Sequence, residues 1–130
     1  MKELSVVIPV MNEFENVEPM IRALGDALQG LDYEVVFVDD GSADGTQKEI
    51  IRCADENVKL VELRKNYGQS TAMTAGIDHA SGKFIALLDG DLQNDPTDIP
   101  PMLEKLKAED WDVVAGNRKD RKDGVLLRKV

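Results

Sequence analysis

The 130 residues are 42% apolar with no low-complexity stretch, enough for one domain around one core and too few for several. The formal charge of −9 argues against a nucleic-acid binder, and no apolar run approaches the ~20 residues that cross a bilayer. Cys53 is the single cysteine, so no internal disulfide forms, which fits a reducing, cytoplasmic compartment.

The N-terminal apolar run is closed by Glu13 and is too short for a secretion signal. In chain order, five short apolar runs recur at 4–9, 33–40, 58–63, 83–89 and 111–116. They are nearly continuous rather than alternating, the pattern of strands buried on both faces. Helical spacing fills the gaps. Residues 16–29 place Val17, Met20, Ile21, Leu24 and Leu28 on one stripe, and 45–56 offer Ile50, Ile51 and Ala54. Residues 69–80 offer Ala72, Met73, Ala75, Gly76 and Ile77, and 96–108 offer Ile99, Met102, Leu103 and Leu106. Asp95 before Pro96 reads as a cap followed by proline at the first helical position. Strand alternating with helix predicts an α/β domain with a mainly parallel sheet and helices on both faces, spanning 1–130. Charge is unevenly spread. Residues 118–130 carry six Lys or Arg against two Asp, leaving this tail at +4 and the rest at −13. The tail is expected either to meet anionic lipid or to be a frayed, solvated end.

Ligands of such sheets bind beyond the carboxyl ends of the strands, at the switch in strand order. The suspicious residues fall there: Pro9 to Glu13, Asp39 to Ser42, Asp89 to Gln93 and Gly116 to Arg118. Asp89 and Asp91 follow a buried-looking strand, and alternation of an extended chain would put both carboxylates on one side. Clustered carboxylates are costly without a cation between them. An all-oxygen donor set, completed by the amide of Gln93, suits Mg2+ or Mn2+ shared with substrate phosphates. Asp39 and Asp40, with Gly41 and Ser42, are either a polar turn or acceptors for a nucleotide's base or ribose. Arg64 to Gly68 open a helix whose backbone amides could meet an anion, or form a solvated turn. Arg118 suits bidentate bonding to a diphosphate, with a plain surface charge as the alternative. His79 reads as a helix-end residue, and Cys53 and Trp111 as packing.

The segments VVIPVMNEFENV, VVFVDDGSADGT, RKNYGQSTAMTAGIDHASGKF, LLDGDLQNDP and GNR occur in this order across nearly the whole chain. Together they resemble the family 2 glycosyltransferases, and within them the polyprenyl- and dolichol-phosphate sugar transferases. The resemblance implies a Rossmann-like GT-A nucleotide-sugar-binding fold. It implies that Pro9, Met11 and Glu13 line the nucleotide pocket, with Asp39, Asp40, Gly41 and Ser42 on the base and ribose side. Asp89 and Asp91 would be the metal-contacting DxD pair, Gln93 would join the metal, and Arg118 would approach the donor or lipid phosphate. Met11 departs from the family's usual aromatic residue, and Gly90, where Ala is common, looks harmless. The family runs on well past this length, so the chain is expected to hold the donor half and to lack the acceptor part.

The implied activity is inverting transfer of a sugar from a UDP- or GDP-sugar to a lipid phosphate acceptor at the membrane surface. The cytoplasmic face is the expected location, no nucleic acid is expected, and a homo-oligomer is left open. A phospho-acceptor receiver module is the rival class. Its acidic pair belongs after the first strand, whereas here the pairs follow the second and fourth. A donor-binding fragment without turnover is a third reading.

Overall fold

The computed structural model describes residues 2–91, 95–108, 113–115 and 126–129, the last two stretches as backbone. The strands are β1 (Leu4–Val10), β2 (Tyr33–Asp39), β3 (Val58–Glu62), β4 (Phe84–Leu87), β5 (Val113–Ala115) and β6 (Leu126–Lys129). The helices are α1 (Phe14–Ala27), α2 (Thr46–Cys53), α3 (Gln69–His79) and α4 (Ile99–Ala108), the last entered through a 3-10 turn at Pro96–Asp98. Asp95 caps that turn by accepting the Thr97 amide at 3.0 Å, as the Asp-Pro pair predicts.

The strands form one sheet in the order β3-β2-β1-β4-β6-β5. β3, β2, β1 and β4 are mutually parallel, while β6 runs antiparallel to both β4 and β5. The mainly parallel sheet is therefore as expected, with one correction. Residues 126–129 are not a frayed end but a strand of the sheet, between β4 and β5. The apolar run there, Val125 to Leu127, is flanked by charge and shorter than the strand signal requires.

Alternation along β1 and β2 divides the core. Leu4, Val6, Ile8, Val10, Val35 and Phe37 pack with Val17, Met20, Leu24 and Leu28 of α1, Ile50 of α2, and Ile99, Leu103 and Leu106 of α4. Val7, Val36 and Val38 pack with Ala72 of α3 on the other face. Gly76 lets α3 lie close, since a Cβ there would stand 2.4 Å from Val7 Cγ1. Ile51, placed by sequence on the buried stripe of α2, is 64% exposed, because the short α2 buries only Thr46 and Ile50.

A polar network sits at the amino ends of the strands. Glu34 is 2% exposed and accepts the Ser5 hydroxyl at 2.6 Å and the Ser81 amide at 2.7 Å, with Lys59 Nζ at 2.8 Å. Burial pushes its carboxyl up, but the bonds from Lys59, Ser5 and Ser81 outweigh it and hold the group at about 2, against an ordinary 4.5. A depressed value stabilises the fold above the ordinary carboxylate range. That contribution is lost as pH falls from 4.5 toward 2. Glu34→Gln is expected to lower stability at neutral pH by on the order of 2 kcal/mol. Denaturant midpoints of both proteins followed down to low pH should converge; a constant gap would refute the linkage.

Candidate active site

The chain leaves β1 for β2 and β3 on one side, then returns to β4 on the other. The switch in strand order thus falls between β1 and β4, and a cleft of about 310 Å3 opens at their carboxyl ends. Pro9, Val10, Met11, Glu13, Asp40, Gln69, Asp89, Gly90 and Asp91 line it. That volume lies at the lower end of the range for small-molecule sites.

The β1 end is stitched to the loop after β2. Asn12 takes a left-handed φ of 54°, which asparagine tolerates better than most residues. Its amide donates to Ser42 Oγ at 2.8 Å, and its Oδ1 accepts the Ala43 amide at 2.9 Å. The Glu13 amide donates to Thr46 Oγ1 at 3.0 Å. Ser42, expected at the nucleotide, thus holds the β1 loop. Glu13 Oε2 accepts from Asn16 Nδ2 at 2.6 Å.

Asp39 ends β2 and is fully buried. Its Oδ2 accepts the Ser42 amide and the Gln47 side-chain amide. Its Oδ1 is buried and finds no donor among the described residues. A buried acceptor without a donor is expensive, and a ligand N–H or O–H would satisfy it. Asp40 is also buried, but both its oxygens are engaged by the Tyr67 amide at 2.8 Å and the Gly68 amide at 3.0 Å. The anion expected at the start of α3 is therefore Asp40 itself. Gly41 makes this packing feasible: its φ is +81°, and a Cβ would meet Asn66 N at 2.9 Å. Asp39, Gly41 and Ser42 are not in the cleft lining.

Asp89 and Asp91 both reach the cleft, though not by the expected route. β4 stops at Leu87, and a turn begins at Gly90, so the pair is presented by a turn rather than by strand alternation. Asp89 is partly buried and Asp91 exposed. Gly90 is more than a harmless spacer. A Cβ there would stand 2.6 Å from Val10 Cγ1 and 3.1 Å from the Pro9 carbonyl, so glycine brings the pair against β1. Sequence alone did not single out Gln69. It is the first residue of α3 and donates from Nε2 to Asp89 Oδ1 at 2.8 Å. Gln93 and Arg118 lie outside the described residues.

Glu13, Asp40, Asp89 and Asp91 make the cleft wall acidic. An anionic ligand enters such a wall only with a cation. Two carboxylates on a turn leave coordination positions to be filled, which fits Mg2+ or Mn2+ sharing substrate oxygens. Among the described residues, the cluster with three metal-type ligand atoms close together is elsewhere, at Glu18, Glu49 and Cys53. Arg52 already pairs with both of its carboxylates at 2.7 Å, so it reads as an ion-pair network.

A family model described as glycosyl transferase family 2 matches residues 5–129. The chain belongs to this family. It is 44% identical over 133 residues to a dodecaprenyl-phosphate galacturonate synthase of Rhizobium johnstonii, covering 98% of this chain and 39% of that protein. It is 39% identical over 132 residues to an undecaprenyl-phosphate 4-deoxy-4-formamido-L-arabinose transferase of Klebsiella pneumoniae, covering 98% and 40%. The chain thus spans about two fifths of these relatives. Among solved structures it resembles a mannosyltransferase of Pyrobaculum calidifontis, in complex with GDP-Man and Mn2+, with a TM-score of 0.85 at 21% identity, covering 98% of this chain and 44% of that one. It also resembles the glucosyl-3-phosphoglycerate synthase of Mycobacterium tuberculosis, in complex with Mn2+, UDP and phosphoglyceric acid, with a TM-score of 0.81 at 19% identity, covering 98% and 56%. These likenesses show the glycosyltransferase fold. Family membership removes the receiver-module reading. Among the described residues no helix is long and apolar enough to cross a membrane.

Proposed function

We propose that this chain is the donor-binding part of an inverting glycosyltransferase that moves a sugar from a UDP- or GDP-sugar to a polyprenyl phosphate, with Mg2+ or Mn2+, at the cytoplasmic face of the membrane. The observation that carries this reading is the joint lining of one switch-point cleft by Asp89, Asp91 and the β1 end. The names of the relatives, polyprenyl-phosphate sugar transferases, supply the acceptor class.

Asp89 and Asp91, joined by Gln93, would hold the metal, which when bound would supply positive charge for the departing nucleoside diphosphate. Pro9, Met11 and Glu13 wall the nucleotide, with Asp39 on its base and ribose side, where the buried, unsatisfied Oδ1 accepts a hydrogen bond from base or ribose once the ligand displaces the atoms that cover it. Gly41 and Ser42 keep that strand end in shape, Asp40 fixes the start of α3, and Arg118 meets a phosphate. A lipid phosphate oxygen forms the new bond to the anomeric carbon as the bond to the diphosphate breaks on the opposite face. That acceptor is already anionic, so no strong base is needed.

Because the chain spans about 40% of its relatives, binding is a better readout than turnover. Calorimetric titration with UDP- and GDP-sugars, with and without Mn2+, should show metal-dependent binding of one nucleotide class. Absence of binding for both nucleotides in both conditions would overturn the reading.

A further inference from the structure

We propose that Gln69 is a positioning residue for Asp89, and that residues 66–69 act as a strap linking the acidic ends of β2 and β4 across β1. The inference rests on the metal-diphosphate reading of the cleft. It concerns a residue that touches a carboxylate rather than the reacting atoms.

The strap is fixed at one end by β2. Asp40 accepts the amides of Tyr67 and Gly68, and Asn66 Oδ1 also accepts the Gly68 amide at 3.1 Å. The lack of a Cβ at Gly41 lets Asn66 lie against the chain there. The next residue, Gln69, carries the connection to the other side of β1 by donating to Asp89 Oδ1 at 2.8 Å. An ionised carboxylate only accepts, so the glutamine must present its NH2 group, and the direction of the bond is fixed.

Stability does not explain this contact. Gln69 is exposed, and ordering a long, exposed glutamine costs rotamer freedom comparable to what an exposed hydrogen bond returns. What the bond does supply is orientation. Asp89 stands past the end of β4, beside the turn that begins at Gly90. A donor on the first turn of α3 fixes the direction of its Oδ1. Partners that orient metal-ligating carboxylates typically carry 10–100-fold in metal affinity.

The test is Mn2+ binding to the wild-type chain, Gln69→Met and Gln69→Ala, each with UDP and in parallel with GDP. Metal-free nucleotide binding and thermal midpoints are measured on the same samples. Both variants are expected to lose about tenfold in Mn2+ affinity, with the midpoint unchanged and a smaller change in metal-free nucleotide affinity than in Mn2+ affinity. Wild-type affinity in Gln69→Met, which keeps the bulk and lacks the donor, would overturn the inference. So would an equal loss of metal-free binding, which would mark a general distortion of the α3 end. A wild-type chain that takes up no Mn2+ with either nucleotide would instead overturn the reading of the cleft, before any variant is compared.

Discussion

Asp91→Ala is expected to abolish the metal-dependent part of nucleotide binding and leave the fold intact. Asp91 is exposed on the turn after β4, so its removal opens no cavity. Surface changes of this kind usually stay within about 0.5 kcal/mol of stability. The effect on binding is of another order. With one of the two cleft carboxylates gone, the Mn2+-supported affinity for a UDP- or GDP-sugar should fall by about 100-fold, near 2.7 kcal/mol. Metal-free affinity should stay level or rise, because one negative charge facing the diphosphate has been removed. Calorimetry with and without Mn2+, alongside a thermal melt, separates these terms. An unchanged Mn2+-supported affinity would show that Asp91 is no ligand.

The effects differ because the acidic residues, alike in sequence, do different work. Asp40 is consumed by the amides of Tyr67 and Gly68. Asp39 is half consumed, and Asp89 is held by Gln69. The five apolar runs and the capped Asp95-Pro96 start were legible because burial on two faces and capping leave local patterns. The convergence of the β1, β2 and β4 ends was legible too, since a parallel sheet places all its carboxyl ends on one edge. Less legible were features set by distant partners. The pairing of Leu126–Lys129 with β4 rests on a three-residue apolar run that reads as tail. The Gln69–Asp89 bond joins residues 20 apart in sequence, and nothing local marks either as the other's partner. The early end of β4 also escaped notice, because the apolar run continues through Leu88, which is buried and still donates its amide to the Val7 carbonyl at 3.0 Å although the strand ends at Leu87.

Asp39→Asn tests the other half of the site, and the sign of its effect follows from which atom changes. In the wild-type chain Oδ2 accepts the Ser42 amide and the Gln47 side chain, while Oδ1 is buried with no donor among the described residues. An asparagine can keep its carbonyl oxygen at the Oδ2 position only by placing its NH2 where Oδ1 stands. The fold then retains both internal bonds. A ligand N–H or O–H that reaches that spot now meets a donor instead of an acceptor. A buried polar group left facing its own kind costs about 1–3 kcal/mol. Nucleotide affinity should therefore drop by roughly 10–100-fold. The loss should appear with and without Mn2+, unlike that of Asp91→Ala, because base or ribose contacts do not depend on the metal. Stability should change by about 1 kcal/mol or less, since both bonds at the Oδ2 position are kept and one unpaired buried polar atom replaces another. Titrating the free nucleoside as well as the nucleoside diphosphate isolates the term, because only the base and ribose remain. Equal affinity of the two proteins for the nucleoside would place the buried oxygen outside the nucleotide site and leave the base to be read by other atoms.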